Sequence, residues 1–133
     1  MGRYAFFNTN YEYKFAFGIQ SSFDMELFGG EDKTKYNEEG IAEECGERVW
    51  TQKDKEYIYE TLQEIAEEEE FEIPNFNEIE KTLEGTYMIE EYIKVKGDIS
   101  NRIGSREYYK FRLGCIIYHQ LLYTEILTVE YEY

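Results

Sequence analysis

Reactive side chains are scarce in this chain: there is one His (His119) and two Cys (Cys45 and Cys115). Cys115 and His119 stand four positions apart, which on a helix brings thiol and imidazole to one face, the arrangement a thiolate–imidazole pair requires. Ile116, Ile117, Leu121 and Leu122 surround them, and an apolar environment raises a thiol pKa, so the pair reads as core packing and not as a nucleophile. Cys45 lies among Glu43, Glu44 and Glu47, whose field disfavours a thiolate. The expectation is two unpaired, inert thiols in a reducing compartment, cytoplasmic or nuclear. A single His and two distant Cys also rule out a Cys-rich zinc site and a multi-His centre. The run Glu67 to Glu70 points around a helix axis and cannot converge on one ion, so neither metal nor cofactor is expected. No GxxxxGKS/T, GxGxxG or GxSxG occurs, which removes sequence support for phosphate-loop, dinucleotide and serine-hydrolase chemistry.

Two charged constellations remain. Between Lys94 and Arg112 six bases face two acids, and Arg102, Ser105, Arg106 and Lys110 gather where a helix begins. Free backbone N–H groups and the helix dipole favour an anion at such a place, so these four residues are the candidate site for a phosphate, carboxylate or nucleotide-like ligand. In an enzyme of that kind, Glu12 or Lys14 would serve as acid–base groups. The same bases can instead pair with the chain's own acids or with a second copy. The other constellation is larger. From Glu38 to Glu91 there are 19 acids and four bases, a local net charge of −15 that equals the net charge of the whole chain. Of the 29 acids 25 are Glu, which helix interiors accept better than Asp, so the excess is expected on helices. Glu60, Glu64, Glu67 and Glu68 face outward on the surest helix and, with Tyr57 at the rim, are the candidate partner-binding residues, the alternative being an acidic face that is only solvated surface.

The elements that must hold these groups can be read from periodicity. Tyr11, Tyr13, Phe15, Phe17 and Ile19 alternate with more polar or small residues after a short aromatic segment, Arg3 to Asn8, which predicts a hairpin. Ser22 to Phe28 predicts a helical turn or two ended by Gly29-Gly30, followed by a loop from Glu31 to Gly40. Ile41 to Cys45 reads as a short helix stopped by Gly46. Thr51-Gln-Lys-Asp54 has the form of a capping box ahead of Tyr57, Ile58, Leu62, Ile65 and Ala66, which predicts a helix over about Gln52 to Glu69. After Pro74, Asn75 or Asn77 is expected to cap a shorter helix carrying Ile79 and Leu83 and stopped by Gly85. Tyr87 to Val95 fits either a strand or a helix. Ser105 is placed as the N-cap of a helix whose face includes Leu113, Ile116, Ile117 and Leu121, the widest apolar face in the chain. Thr124 to Tyr133 then reads as a strand able to pair with the first hairpin.

These elements predict a single α+β domain over residues 1–133, with a small antiparallel sheet drawn from both termini and packed against three to four helices. A hydrophobic fraction of 42%, with 18% aromatic residues, is enough to form a core. No apolar run approaches the length of a membrane span, and the first 20 residues lack the pattern of a signal peptide. The overall acidity disfavours direct binding to nucleic acid and favours a basic protein as partner, with a homo-oligomer left open.

The opening Arg3 to Thr9, followed by Glu12 to Phe15 and Phe17 to Gln20, resembles the start of small uncharacterised proteins of large DNA viruses. The resemblance covers the first quarter of the chain and implies a viral source and an intracellular setting, with no particular activity. The functional expectation is a non-enzymatic acidic interaction protein, of the inhibitor or nucleic-acid-mimic kind, that binds a basic partner. The alternative is a small ligand-binding protein or enzyme for an anionic or nucleotide-like molecule. The core expectation is directly testable: Ile117→Ala should lower stability by about 2–5 kcal/mol in urea unfolding, and a loss below about 0.5 kcal/mol would show that the core helix lies elsewhere.

Overall fold

The computed structural model describes residues 4–8, 12–16, 24–40, 46–95 and 106–131. The alternating N-terminal segment forms the expected hairpin, β1 (Tyr4–Asn8) with β2 (Glu12–Ala16), and the C-terminal β-branched and aromatic run forms β7 (Ile126–Tyr131). Between them lie α1 (Asp24–Leu27), β3 (Glu31–Asp32), β4 (Gly46–Thr51), α2 (Lys55–Glu69), β5 (Phe71–Glu72), α3 (Leu83–Tyr87), α4 (Ile89–Tyr92), β6 (Lys94–Val95) and α5 (Arg106–Leu121). The main sheet is antiparallel throughout, in the order β2-β1-β7-β4-β3, so the last strand in sequence occupies its centre. A separate two-stranded ribbon pairs Phe71 with Val95 and Glu72 with Lys94. The fold is therefore α+β, as the sequence predicts, with a larger sheet than the termini alone supply.

The addition comes from β4, a strand that periodicity does not announce. Its inward positions are Gly46, Arg48 and Trp50, which do not form a run of apolar residues. Arg48 is only 8% exposed, and its guanidinium is held by the backbone: it donates to the Gly29 carbonyl at 2.9 Å and to the Gly30 carbonyl at 3.4 Å. Trp50 Nε1 donates to the Phe28 carbonyl at 3.1 Å. Three successive carbonyls thus turn toward one strand, which the chain permits because Gly29 and Gly30 both adopt left-handed φ values, +78° and +81°. Their turn closes the α1 segment as expected. It also delivers β3 to the edge of the sheet beside β4, inside a stretch expected to be loop. Both β3 residues, Glu31 and Asp32, are exposed. The helix expected over Ile41 to Cys45 lies outside the described residues, as do Arg102, Ser105, and the end of the strand expected through Ile19.

Two helices carry the core. The sequence around Thr51 behaves as a helix start: the Thr51 N–H donates to the Asp54 carboxylate at 2.8 Å, a single 3₁₀ turn covers Gln52–Asp54, and α2 follows. Gln52 anchors this start to the far end of α5 by donating to the Leu121 and Thr124 carbonyls at 2.6 and 2.7 Å. Ile58, Leu62, Ile65 and Ala66 face inward from α2. In α5, Phe111, Leu113, Cys115, Ile116 and Ile117 are fully buried and Leu121 nearly so, which confirms the expected core helix. Gly114 is the point of closest approach, since a Cβ there would collide with the Phe28 ring and press on Leu62. Glycine at this position lets α5 settle against α1 and α2 together.

The expected helix around Ile79 and Leu83 is divided. Asn75 accepts from the Asn77 N–H and opens only a 3₁₀ turn, Phe76–Glu78. Thr82 then caps α3 by accepting from the Gly85 N–H at 3.2 Å, so Gly85 lies within that helix and does not end it. Tyr87 to Val95, which fits two conformations, adopts both: α4, then β6.

α2 ends at Glu70, which is left-handed with φ 58° and donates its N–H to the Ala66 carbonyl. Gly is the residue best suited to that position, and a carboxylate near a helix C-terminus faces an unfavourable dipole. Glu70→Gly should therefore raise stability by about 0.5–1.5 kcal/mol in urea unfolding. An unchanged or lower unfolding midpoint would show that the Glu70 side chain supports the helix end in a way its backbone geometry does not explain.

Candidate functional site

The helical period of α2 decides which acids share a surface. Tyr57, Glu60, Glu64, Glu67 and Glu68 form one exposed stripe, opposite the buried Ile58, Leu62 and Ile65. Tyr57, 53% exposed, begins the stripe with its ring against Gly29, and Glu67 and Glu68 lie about 15 Å further along at 1.5 Å per residue. The structure thus brings together the five residues singled out from sequence. None of the four carboxylates forms an ion pair with a described residue.

At the C-terminal end of the stripe the surface becomes concave. A hollow of about 770 Å³ opens between the end of α2, the β5–β6 ribbon and α4. Ala66, Phe71, Ile73, Pro74 and Tyr92 supply its apolar lining, and Glu67, Glu72, Glu78 and Glu91 its carboxylates, with Lys94 beside them. A second hollow of about 720 Å³ adjoins it, shares Glu78 and Tyr92, and adds Glu80, Glu84, Tyr87 and Met88. Phe71 anchors this region by packing on Tyr108 and Phe111 of α5, at ring-centroid distances of 6.3 and 5.2 Å. Sequence reasoning found only Glu67 of this groove. The other acids come from β5, the 3₁₀ turn, the segment before α3, and the helices α3 and α4, and no single periodicity links them.

The anion-site candidates fare differently. Arg106 faces Asp24 at 3.8 Å and Lys110 pairs with Glu107 at 3.0 Å. Burial holds the Asp24 carboxyl above its usual range, partly offset by Lys110 and Arg106. Arg106 and Lys110, the two described members of the candidate anion site, are thus engaged by the chain's own acids.

Cys115 and His119 are both fully buried, and burial pushes the Cys115 thiol well up, as expected of an inert Cys. The imidazole is turned to other partners. Its Nε2 lies 2.7 Å from the Glu80 carbonyl, which can only accept, so Nε2 carries the proton and Nδ1 accepts. Thr86 Oγ1, 2.8 Å from Nδ1, must then donate to it and in turn accept from the Tyr123 hydroxyl, also at 2.8 Å. The order Tyr123 to Thr86 to His119 to Glu80 is fixed by the terminal carbonyl. It ties the segment that forms the second hollow to α5.

Among the described residues, no group of three His, Cys, Asp or Glu side chains is placed to hold a metal ion, and no helix is long and apolar enough to cross a membrane. No family model matches the chain, and no curated protein or solved structure matches it either.

Burial lowers the His119 pKa below its ordinary 6.5, opposed by the Glu80 hydrogen bond and assisted by Lys81. A depressed folded-state pKa means that, as pH falls through about 6.5, the unfolded chain takes up a proton that the folded chain refuses. With one His in the chain, the effect stands apart from carboxylate titration. The urea-unfolding midpoint should fall from about pH 7.5 to 6, and His119→Gln should flatten this slope. An equal slope in both proteins would place the proton uptake elsewhere.

Proposed function

We propose that this protein is a non-enzymatic interaction module that presents an acidic helical surface to a basic partner, a nucleic-acid-binding protein whose cationic groove it occupies. The observation that carries this reading is the α2 stripe. Glu60, Glu64, Glu67 and Glu68 stand exposed and form no ion pair with a described residue, whereas Arg48, Arg106, Lys110 and Arg112 are engaged by Glu26, Asp24, Glu107 and Glu90. These four cations are used on other faces, and the carboxylates of the stripe are left to the outside.

Like charges at i,i+4 and adjacent positions repel by a few tenths of a kcal/mol per pair, so the stripe is a cost to the helix that bears it. Carboxylates in a row on a rigid helix can take the place of duplex phosphates before Lys and Arg side chains. Their field speeds encounter with a cationic surface, and Tyr57 offers a ring at the edge of the contact. Occupancy of the groove would exclude nucleic acid from it, which is how such a module inhibits. The reading places the protein in a reducing compartment, cytoplasmic or nuclear, and accords with the viral source implied by the N-terminal resemblance.

Purified core histones serve as a basic, DNA-binding probe. Wild type should bind them more weakly as salt rises, and Glu60→Gln/Glu64→Gln/Glu67→Gln/Glu68→Gln should bind more weakly still, with a shallower salt slope. Salt-independent binding, equal in both proteins, would remove the acidic-surface reading.

A further inference from the structure

We infer that the twin hollow beyond α2 is the docking groove for a flexible Lys- and Arg-rich segment of that basic partner. The inference rests on the proposed function and adds to it a place and a kind of ligand. The convex stripe of α2 can attract a cation but offers nothing to enclose it. The groove encloses. Among the described residues of its two hollows, six carboxylates, Glu67, Glu72, Glu78, Glu80, Glu84 and Glu91, accompany one amine, Lys94. None of the six pairs with a described base.

Three features point to a peptide. The acids are distributed over two adjoining hollows and do not converge on one point, so a single small ion would leave most of them unanswered. The hollows combine apolar and acidic lining: Phe71, Ile73, Pro74 and Tyr92 lie among the carboxylates. Lys and Arg have the matching form, an apolar stem that lies along hydrophobic surface and a cationic head that seeks the acids. The outer hollow adds Tyr87 and Met88, 55% and 44% exposed, next to each other in sequence at its edge. Large exposed apolar side chains beside a charged cleft are suited to contacts between the cationic side chains of a bound segment. Each hollow also falls within the roughly 300–1,000 Å³ range of ligand pockets.

Stripe and groove then divide the work: exposed stripe charges set the rate of encounter, and contacts in the groove set the rate of escape. A fluorescein-labelled (Arg-Leu-Lys)4 peptide tests this with two variants that remove equal charge. Glu72→Gln/Glu78→Gln/Glu91→Gln alters the groove, and Glu60→Gln/Glu64→Gln/Glu68→Gln alters the stripe. Circular dichroism and melting confirm that both remain folded. The groove variant should weaken binding about tenfold or more, through faster dissociation, and the stripe variant about twofold, through slower association. Tyr87→Ser/Met88→Ser should weaken binding about threefold with the salt slope unchanged. Equal losses in the two Gln variants would overturn the groove and leave the acidic surface standing, whereas no loss in either would overturn both. No loss in the Tyr87/Met88 variant, or competition by spermine as effective per charge as unlabelled peptide, would overturn a peptide as the occupant.

Discussion

A sixteen-residue helix with buried side chains around most of its circumference must be covered from several directions, and α5 meets that demand by contacting β7 together with α2, α3 and α4. The order in which the other elements are arranged follows from this burial. On α5 the clearance is small at Gly114, where the Phe28 ring occupies the space a Cβ would need and Leu62 closes in beside it. The same contact places α1 and its double-glycine turn, and through Arg48 and Trp50 that turn fixes β4 in the sheet. The acidic lobe is then attached to a support that it does not itself build. Fully burying a side chain such as Ile116 or Ile117 contributes about 1.5–3 kcal/mol, several times the repulsion within one pair of stripe carboxylates. The core can therefore carry a surface that is unfavourable by itself.

Hydrogen bonds in the core and at its margin join distant segments. His119 and Thr86 are 33 positions apart, and Gln52 reaches carbonyls 69 and 72 positions away. A buried donor left without an acceptor costs about 1–3 kcal/mol, so the buried Thr86–His119 bond also penalises alternative placements of the segments it links. The Tyr123–Thr86–His119–Glu80 series is the most consequential for the groove. It holds the backbone just before α3, where Glu80 and Glu84 are displayed. A residue whose sequence context suggested only packing next to Cys115 is in fact the link between the core and the acidic rim.

How much of this was legible depended on whether the signal was local. The hairpin, α2, the inward face of α5 and β7 each follow from a period within one short window, and so does the α2 stripe. β4 did not, because the burial of Arg48 depends on carbonyls 18 and 19 positions earlier in the chain. Gly85 looked like a helix stop because glycine usually terminates, whereas here its amide is the donor that Thr82 needs to start α3. The groove was the least legible part. Glu67, Glu72, Glu78 and Glu91 belong to different elements, and only the packing of Phe71 and the turn after Pro74 brings them to one opening. In a central region so rich in Glu, no count of acids could separate those four from their neighbours.

The short outer strand β3 has a consequence for how this molecule behaves in company. A sheet edge with free backbone groups is a template on which another chain can add a strand and begin a fibre. Among the described residues that edge is two residues long, and both, Glu31 and Asp32, are exposed acids, Glu31 with Lys33 at 2.9 Å. A second copy approaching edge to edge would bring the same pair of negative charges against them, and the charge of −15 on each molecule would oppose the approach before contact. A border this short and this acidic is a poor template for a further strand, which matters in a chain with 18% aromatic residues.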